Sequence, residues 1–203
     1  MEIASLKLGP MRTNCYFVIN NSQAIVIDPA DEYMKILEYS TLKKLTISAI
    51  LVTHGHFDHV GACLELQNLN IPIFMNEFDA TVINETPGFY YLHKHKVFKP
   101  NFYVKNNQIL NLIGLKIKVL DTPGHSHGSV SYKIQNNLFC GDLMFESGEF
   151  GRFDLYSGDI FELKNSIKKI GKLDDKIVVY PGHGQPTFIW KAKEILNDLY
   201  NLN

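Results

Sequence analysis

Residues 53–59 of the chain read Thr-His-Gly-His-Phe-Asp-His and directly follow the apolar run 47–52, which predicts a buried strand. Four potential metal ligands fall within this stretch: His54, His56, Asp58 and His59. Two histidines at positions i and i+2 share one side only where the backbone is extended or looped, so this is not a helical metal motif. Imidazole nitrogens with a carboxylate suit zinc, iron or manganese better than calcium or magnesium.

The amino-acid composition of the whole chain is typical of a globular protein. Of its 203 residues, 45% are hydrophobic and 20% are charged, so we expect one domain, residues 1–203, with a large core. The net charge of −1 and the strand-sized apolar runs predict neither nucleic acid nor a membrane as a partner. The start of the chain lacks a signal-peptide pattern, and its three cysteines are an odd number far apart. We therefore expect a cytoplasmic protein without disulfides.

Hydrophobic periodicity predicts strands and helices along most of the chain. Strands are expected at residues 2–8, 15–19, 24–28, 47–52, 71–75, 108–112, 115–120, 129–134, 138–141 and 176–180. Helices are expected at residues 31–45, 60–69, 77–84, 159–170 and 187–200. Residues 86–101 fit neither period and predict an aromatic-rich excursion from the core. Two facing, mostly antiparallel sheets with helices outside would bury all of the apolar runs.

Three later loops carry further ligand candidates, each directly after a predicted strand. They are residues 121–128 with His125 and His127, residues 140–142 with Asp142, and residues 180–186 with His183. All three loops contain glycine, which lets a backbone pack close to an ion. Since a sandwich gathers its functional loops at strand ends, we expect these loops to meet the 53–59 stretch.

These motifs resemble those of the metallo-β-lactamase superfamily across nearly the whole chain. The matching segments are His54-x-His56-x-Asp58-His59, Thr122-Pro123-Gly124-His125, Gly141-Asp142 and Pro181-Gly182-His183-Gly184. Residues 151–154, Gly-Arg-Phe-Asp, are similar to the glyoxalase II branch, the hydroxyacylglutathione hydrolases. The resemblance implies an α+β fold, a four-layered αββα sandwich of two mixed β-sheets flanked by helices, with the site along one edge.

The resemblance also implies two divalent metal ions, zinc first and iron or manganese as alternatives. Their implied ligands are His54, His56 and His125 for the first ion, Asp58, His59 and His183 for the second, and Asp142 as a bridge. The implied reaction is hydrolysis of a small thioester such as S-lactoylglutathione, or of an ester, by a metal-bound hydroxide that Asp58 orients. Because no C-terminal glutathione-binding helical region follows in residues 1–203, the chain looks like the short, single-domain hydrolases of this branch.

Other functions fit the same motifs. A mononuclear iron persulfide dioxygenase would contain one iron and consume oxygen, whereas the hydrolase would contain two metals and work without oxygen. A metal-binding module without catalysis would bind metal in a blocked cleft and show no turnover. The neutral charge argues against a nucleic-acid phosphodiesterase, and the lack of a recognisable secretion signal argues against a β-lactamase.

Residues near the ligands have less specific roles. Asp28 either orients a ligating histidine or forms the turn before Pro29. His127 is expected to brace its loop rather than to bind metal. Arg152 would contact a substrate carboxylate or form an ion pair with Asp154. The alternation of His93 and His95 with lysines predicts a solvent-exposed face. A lid that covers the substrate is the alternative interpretation.

Overall fold

The computed structural model of the chain describes residues 1–80 and 98–201, and it contains two six-stranded β-sheets. The first sheet consists of β1 (Glu2–Leu8), β2 (Thr13–Asn20), β3 (Gln23–Ile27), β4 (Thr46–Leu51), β5 (Ile73–Asn76) and β6 (Phe102–Val104), side by side in that order. The second consists of β7 (Ile109–Leu112), β8 (Leu115–Asp121), β9 (Val130–Ile134), β10 (Asn137–Gly141), β11 (Val178–Pro181) and β12 (Thr187–Phe188), again in that order. The helices are α1 (Tyr33–Leu42), α2 (Phe57–Val60), α3 (Cys63–Gln67), α4 (Ile160–Ile170) and α5 (Trp190–Asn201).

Both sheets are mixed. In the first sheet β1, β2 and β3 pair antiparallel, whereas β3, β4, β5 and β6 pair parallel. In the second sheet β10 and β11 pair parallel, and the other neighbours pair antiparallel. The predicted αββα sandwich of mixed sheets is confirmed. The expectation of mostly antiparallel pairing is wrong for the first sheet, because α1 and the α2–α3 segment act as crossovers that return the chain to the same end of the sheet.

Three apolar layers hold the sandwich together. Alternate residues of a strand point to opposite faces, so Phe17 of β2 packs in the outer layer beside α1 while its neighbour Val18 packs between the sheets. A third layer joins the second sheet to α4 and α5 and includes Leu163, Ile167 and Ile195. Burial on both faces explains the near-continuous apolar runs of the central strands. The three cysteines are buried and free.

The predicted elements are present in the described residues with a few differences. The predicted helix 60–69 is divided into α2 and α3, because the N–H groups of Gly61 and Ala62 donate to the carbonyls of Ala30 and Pro29, both at 2.9 Å. The short strands β6 and β12 were not predicted, and pairing of β12 with β11 delays the closing helix to Trp190. Residues 77–80 of the predicted helix 77–84 are helical, whereas its second half and most of the excursion 86–101 lie outside the described residues.

No helix within residues 1–80 and 98–201 combines the length and the apolar character that crossing a membrane requires.

Candidate metal centre

Three histidines from two loops form the first group of candidate ligands. His54 and His56 follow β4, and His125 follows β8. Nδ1 of His56 lies 2.7 Å from Nε2 of His125, which lies 3.2 Å from Nε2 of His54. Burial, reinforced by the neighbouring His125, lowers the pKa of His56 to about 3, and burial lowers the pKa of His54 well below its usual value. The imidazoles of His54 and His56 are therefore neutral, as metal ligation requires.

A second group combines histidines with carboxylates. Asp58 and His59 lie in α2, and His183 follows β11. Nε2 of His183 lies 3.2 Å from Oδ2 of Asp58, and Nε2 of His59 lies 3.6 Å from the same oxygen. The ligand atoms of these three residues all lie within 4.8 Å of one another, as do those of the three histidines of the first group.

Asp142 lies between the two groups. Its Oδ2 is 3.7 Å from Nε2 of His125 and 3.5 Å from Nε2 of His183, while its Oδ1 is 3.4 Å from Nε2 of His59. One carboxylate therefore faces both the three-histidine group and the mixed group. The seven residues predicted as metal ligands are all brought together at one edge of the sandwich.

The centre of this cluster fits divalent metal ions. Nε2 of His59 and Oδ1 of Asp142 are buried atoms without a hydrogen-bond partner among the described residues, although they face each other at 3.4 Å. A buried polar atom without a partner costs about 1–3 kcal/mol, more if it is charged. Imidazole and carboxylate atoms are the donors that zinc, iron and manganese accept. The donor atoms and their convergence thus match the two divalent metal ions that the sequence resemblance implies.

Charge in the second group also favours a cation. Burial alone would raise the pKa of Asp58, but the neighbouring His59 and hydrogen bonds from His183 and Thr13 lower it to about 2. Burial alone would lower the pKa of His183, but hydrogen bonds to Asp142 and Asp58 raise it to about 9. The pKa of His59 is likewise raised well above its usual value, since three carboxylates outweigh its burial. The carboxylates are ionised and attract positive charge to this half of the site.

Asp28 is connected by hydrogen bonds to one histidine of each ligand group. It is buried at the end of β3, and its carboxylate accepts hydrogen bonds from the backbone N–H of Thr53 (2.7 Å), the Thr53 hydroxyl (2.7 Å) and Nδ1 of His59 (2.9 Å). Because the Thr53 hydroxyl gives its one proton to Asp28, it accepts from Nδ1–H of His54, 3.0 Å away. One carboxylate therefore places the proton on Nδ1 of both His54 and His59 and directs Nε2 of each into the cluster.

Other contacts fix the orientation of His125 and Asp58. Nδ1–H of His125 donates to the carbonyl of Arg152 at 2.7 Å, so its Nε2 also faces the cluster. The Thr13 hydroxyl donates to Oδ2 of Asp58 at 2.9 Å. Gly151 must be glycine, because a Cβ there would collide with the carbonyl of Asp142.

A buried carboxylate that the sequence analysis did not single out, Asp79, joins the two loops of the first group. Its Oδ2 accepts from the N–H of Gly55 and the hydroxyl of Ser126, and its Oδ1 accepts from the N–H of Gly128, each at 2.6 Å. Burial raises its pKa, although these three hydrogen bonds act in the opposite direction. Nothing in the spacing around Asp79 indicates this role, because its partners lie 24–49 positions away.

Strand β2 holds the loop that carries His183. The side-chain amide of Asn14 donates to the carbonyls of Pro181 (3.0 Å) and Gly184 (3.2 Å), and the Tyr16 hydroxyl donates to the carbonyl of Pro181 at 2.6 Å. These residues of the first sheet thereby fix a loop of the second. Gly182 lies so close to the cluster that a Cβ would collide with Asp142 and His59.

The other predicted site residues lie outside the ligand cluster. Half-exposed His127 faces Glu162, with Nδ1 at 3.6 Å from Oε2, and its ring contacts Phe78 edge to face. Arg152 donates two hydrogen bonds of 2.9 Å to Asp154 at the surface. His93 and His95 lie outside the described residues.

A cleft of about 340 Å³ opens onto the cluster. Asp58, Asp142 and three of the histidines form its floor. Its walls are mainly apolar and include Met11, Phe57, Phe145, Phe150, Leu155 and Tyr156. The candidate ligands are thus accessible to a small molecule.

Comparisons with known proteins agree with this arrangement. The family model described as "Metallo-beta-lactamase superfamily" matches residues 8–183. The chain is 30% identical over 203 residues to the hydroxyacylglutathione hydrolase GloC of Haemophilus influenzae, and the match covers 95% of each chain.

Two solved structures have a similar fold at 33% sequence identity. One is the BLEG-1 B3 metallo-β-lactamase, with a TM-score of 0.87 and coverage of 94% of this chain and 95% of the other. The second is TTHA1623 in a di-iron-bound form, with a TM-score of 0.81 and coverage of 92% and 94%.

Proposed function

Because the chain belongs to the metallo-β-lactamase superfamily, we propose that it is a hydrolase with two divalent metal ions that cleaves a small thioester, of the kind represented by S-lactoylglutathione, or a small ester. The observation that carries this proposal is the position of Asp142 between two ligand groups on the floor of an accessible cleft. The similarity to a hydroxyacylglutathione hydrolase supports the thioester as the first substrate class to test.

The proposed ligands follow the two groups. His54, His56 and His125 would hold one ion, Asp58, His59 and His183 the other, and Asp142 would contact both. The five imidazoles and two carboxylates suit zinc, and they suit iron or manganese as well. The di-iron form of TTHA1623 supports including iron in the test. When bound, such ions supply water of lowered pKa and positive charge for an oxyanion.

Asp58 is the proposed catalytic residue of the chain itself. With a pKa of about 2 it is ionised at neutral pH, and it lines the cleft. The Thr13 hydroxyl fixes its carboxylate, so that Asp58 can orient the attacking water and accept its proton. In the overall reaction the oxygen of water bonds to the acyl carbon, the C–S bond breaks, and the thiolate takes up a proton. The products are a carboxylate, a thiol and one proton that is released to solvent.

The experiment that tests this function pairs metal content with activity. Protein purified without chelator is assayed for zinc, iron and manganese, and the same sample is tested for S-lactoylglutathione hydrolysis with and without oxygen. We expect two metals per chain and hydrolysis that does not require oxygen. Asp142→Ala should lose metal and activity together, since it removes the carboxylate shared by both groups. Asp175→Ala is the matched control, because it removes an exposed carboxylate that pairs with Lys193.

Other outcomes identify the competing functions. One iron per chain, no hydrolysis and oxygen uptake with glutathione persulfide would replace the proposal with a dioxygenase. Bound metal without turnover of thioesters, esters or a chromogenic cephalosporin would leave a metal-binding module. The cephalosporin is included because BLEG-1 is a B3 metallo-β-lactamase.

A further inference from the structure

The walls of the cleft above the ligands are more apolar than a site for a charged substrate needs. They combine side chains from separate parts of the chain, namely Met11, Phe57, Phe145, Phe150, Leu155 and Tyr156. Met11 lies in the β1–β2 loop and is 56% exposed, although it is a large apolar side chain. One exposed apolar side chain is ordinary, but six apolar or aromatic side chains around one cleft suit an apolar ligand.

Positive charge for a substrate carboxylate is scarce on the part of these walls that the described residues form. Arg152 is the only lysine or arginine among the described residues that line the cleft. Its guanidinium already forms a two-point ion pair with Asp154, with both hydrogen bonds at 2.9 Å. The pair carries no net charge and uses two of the five guanidinium N–H donors, which weakens the attraction of Arg152 for an anionic substrate.

We propose that the substrate is an uncharged thioester or ester that places an aliphatic or aromatic group against the apolar wall, rather than an anionic glutathione conjugate. This inference rests on the proposed hydrolase function and specifies its substrate class. A carboxylate that leaves water for the described part of this wall would lose hydration and would meet only one cationic side chain there, the paired Arg152. Each methylene that the wall removes from water should instead raise kcat/KM about three- to fourfold.

A two-by-two set of thioesters tests the inference directly. Lactoyl and phenylacetyl groups are each attached to glutathione, which is anionic, and to N-acetylcysteamine, which is uncharged. We expect kcat/KM to be at least tenfold higher for S-phenylacetyl-N-acetylcysteamine than for S-lactoylglutathione, with gains from both the acyl group and the thiol. A preference of tenfold or more for glutathione over N-acetylcysteamine with the same acyl group would overturn the inference while leaving the hydrolase function intact. Hydrolysis of none of the four would instead contradict the proposed function.

Two variants at exposed methionines test the role of the wall. Met11→Lys places a cation in the cleft, so it should lower kcat/KM for the phenylacetyl substrate at least fivefold and raise it for S-lactoylglutathione. Met34→Lys is the matched control, because Met34 is 52% exposed on α1 and is not part of the cleft lining. Equal effects of the two variants would overturn the role of the wall.

Asp154→Asn tests the ion pair. Without the carboxylate, Arg152 is available to a substrate anion, and kcat/KM for S-lactoylglutathione should rise severalfold while the uncharged substrates stay unchanged. A fall for S-lactoylglutathione would contradict this account of Arg152.

Discussion

Replacing Asp28 by asparagine is predicted to weaken metal binding in both ligand groups, although Asp28 itself is not a proposed ligand. The carboxylate accepts three hydrogen bonds of 2.7–2.9 Å, two of them at the same oxygen, Oδ2. An asparagine would keep one oxygen for the N–H of Thr53 and would place an NH₂ group against the Thr53 hydroxyl and Nδ1 of His59. Both partners would have to reverse their proton positions, which turns an N–H of each histidine towards the cluster.

The size of the effect follows from the contacts. Loss of an orienting partner typically costs 10–100-fold in metal affinity, and here both His54 and His59 lose theirs. Two reversed hydrogen bonds to a buried carboxylate should cost about 3 kcal/mol of folding free energy. For a chain of this size, that corresponds to a fall of roughly 6–12 °C in the melting temperature.

The assay is competition for zinc with a chromogenic chelator, together with thermal unfolding. Thr53→Val is the informative second variant, because it removes the partner of His54 and leaves the contact between His59 and Asp28. Thr53→Val should weaken metal binding in the three-histidine group only, whereas Asp28→Asn should weaken it in both ligand groups. Tyr132→Phe controls for stability, since it deletes another buried hydrogen bond, from the Tyr132 hydroxyl to the carbonyl of Val52 at 2.8 Å. Unchanged binding of both metals by Asp28→Asn would refute the reasoning.

Further predictions concern pH and two other positions. The pKa of His183 is raised to about 9, so a metal ion must displace its proton at neutral pH. The metal affinity of the Asp58-His59-His183 group should therefore rise about tenfold per pH unit for each proton displaced, up to about pH 9. His54 and His56 should add no such pH dependence to the three-histidine group between pH 6 and 9, because the pKa of His56 is lowered to about 3 and that of His54 well below its usual value; zinc titrations over this range measure both groups. Asp79→Asn should destabilise the chain by about 3 kcal/mol and weaken the three-histidine group selectively, which thermal unfolding and zinc titration would show. Gly182→Ala should lower the metal content of both ligand groups, as metal analysis would show, because its Cβ would displace His59 and the shared carboxylate of Asp142.

The ligand cluster could be predicted from the sequence because its residues stand in short motifs directly after strands. His54, His56, Asp58 and His59 are adjacent in the chain, and His125, Asp142 and His183 each follow an apolar run. The element order and the sandwich could be predicted from the same runs. Parallel pairing in the first sheet could not be predicted from periodicity, which does not distinguish the direction of a neighbouring strand.

The supporting residues could not be predicted, because their roles depend on contacts between distant segments. Asn14 and Tyr16 read as ordinary members of β2, yet they contact a loop 165–170 positions later. Asp79 falls within the predicted helix 77–84, and no motif there indicates a structural role, yet it is fully buried between two loops. Edge strands β6 and β12 have three and two residues, too few for a periodic pattern.

The wide separation of the ligands in the chain gives the two groups a different order of completion during synthesis. The three histidines of the first group are all present once the chain reaches His125, whereas the other group also needs His183, which lies beyond α4 and β11. A growing chain can therefore contain every histidine of the first group while the second still lacks a ligand. Metal binding to the second group therefore requires that both sheets have been synthesised and are packed together.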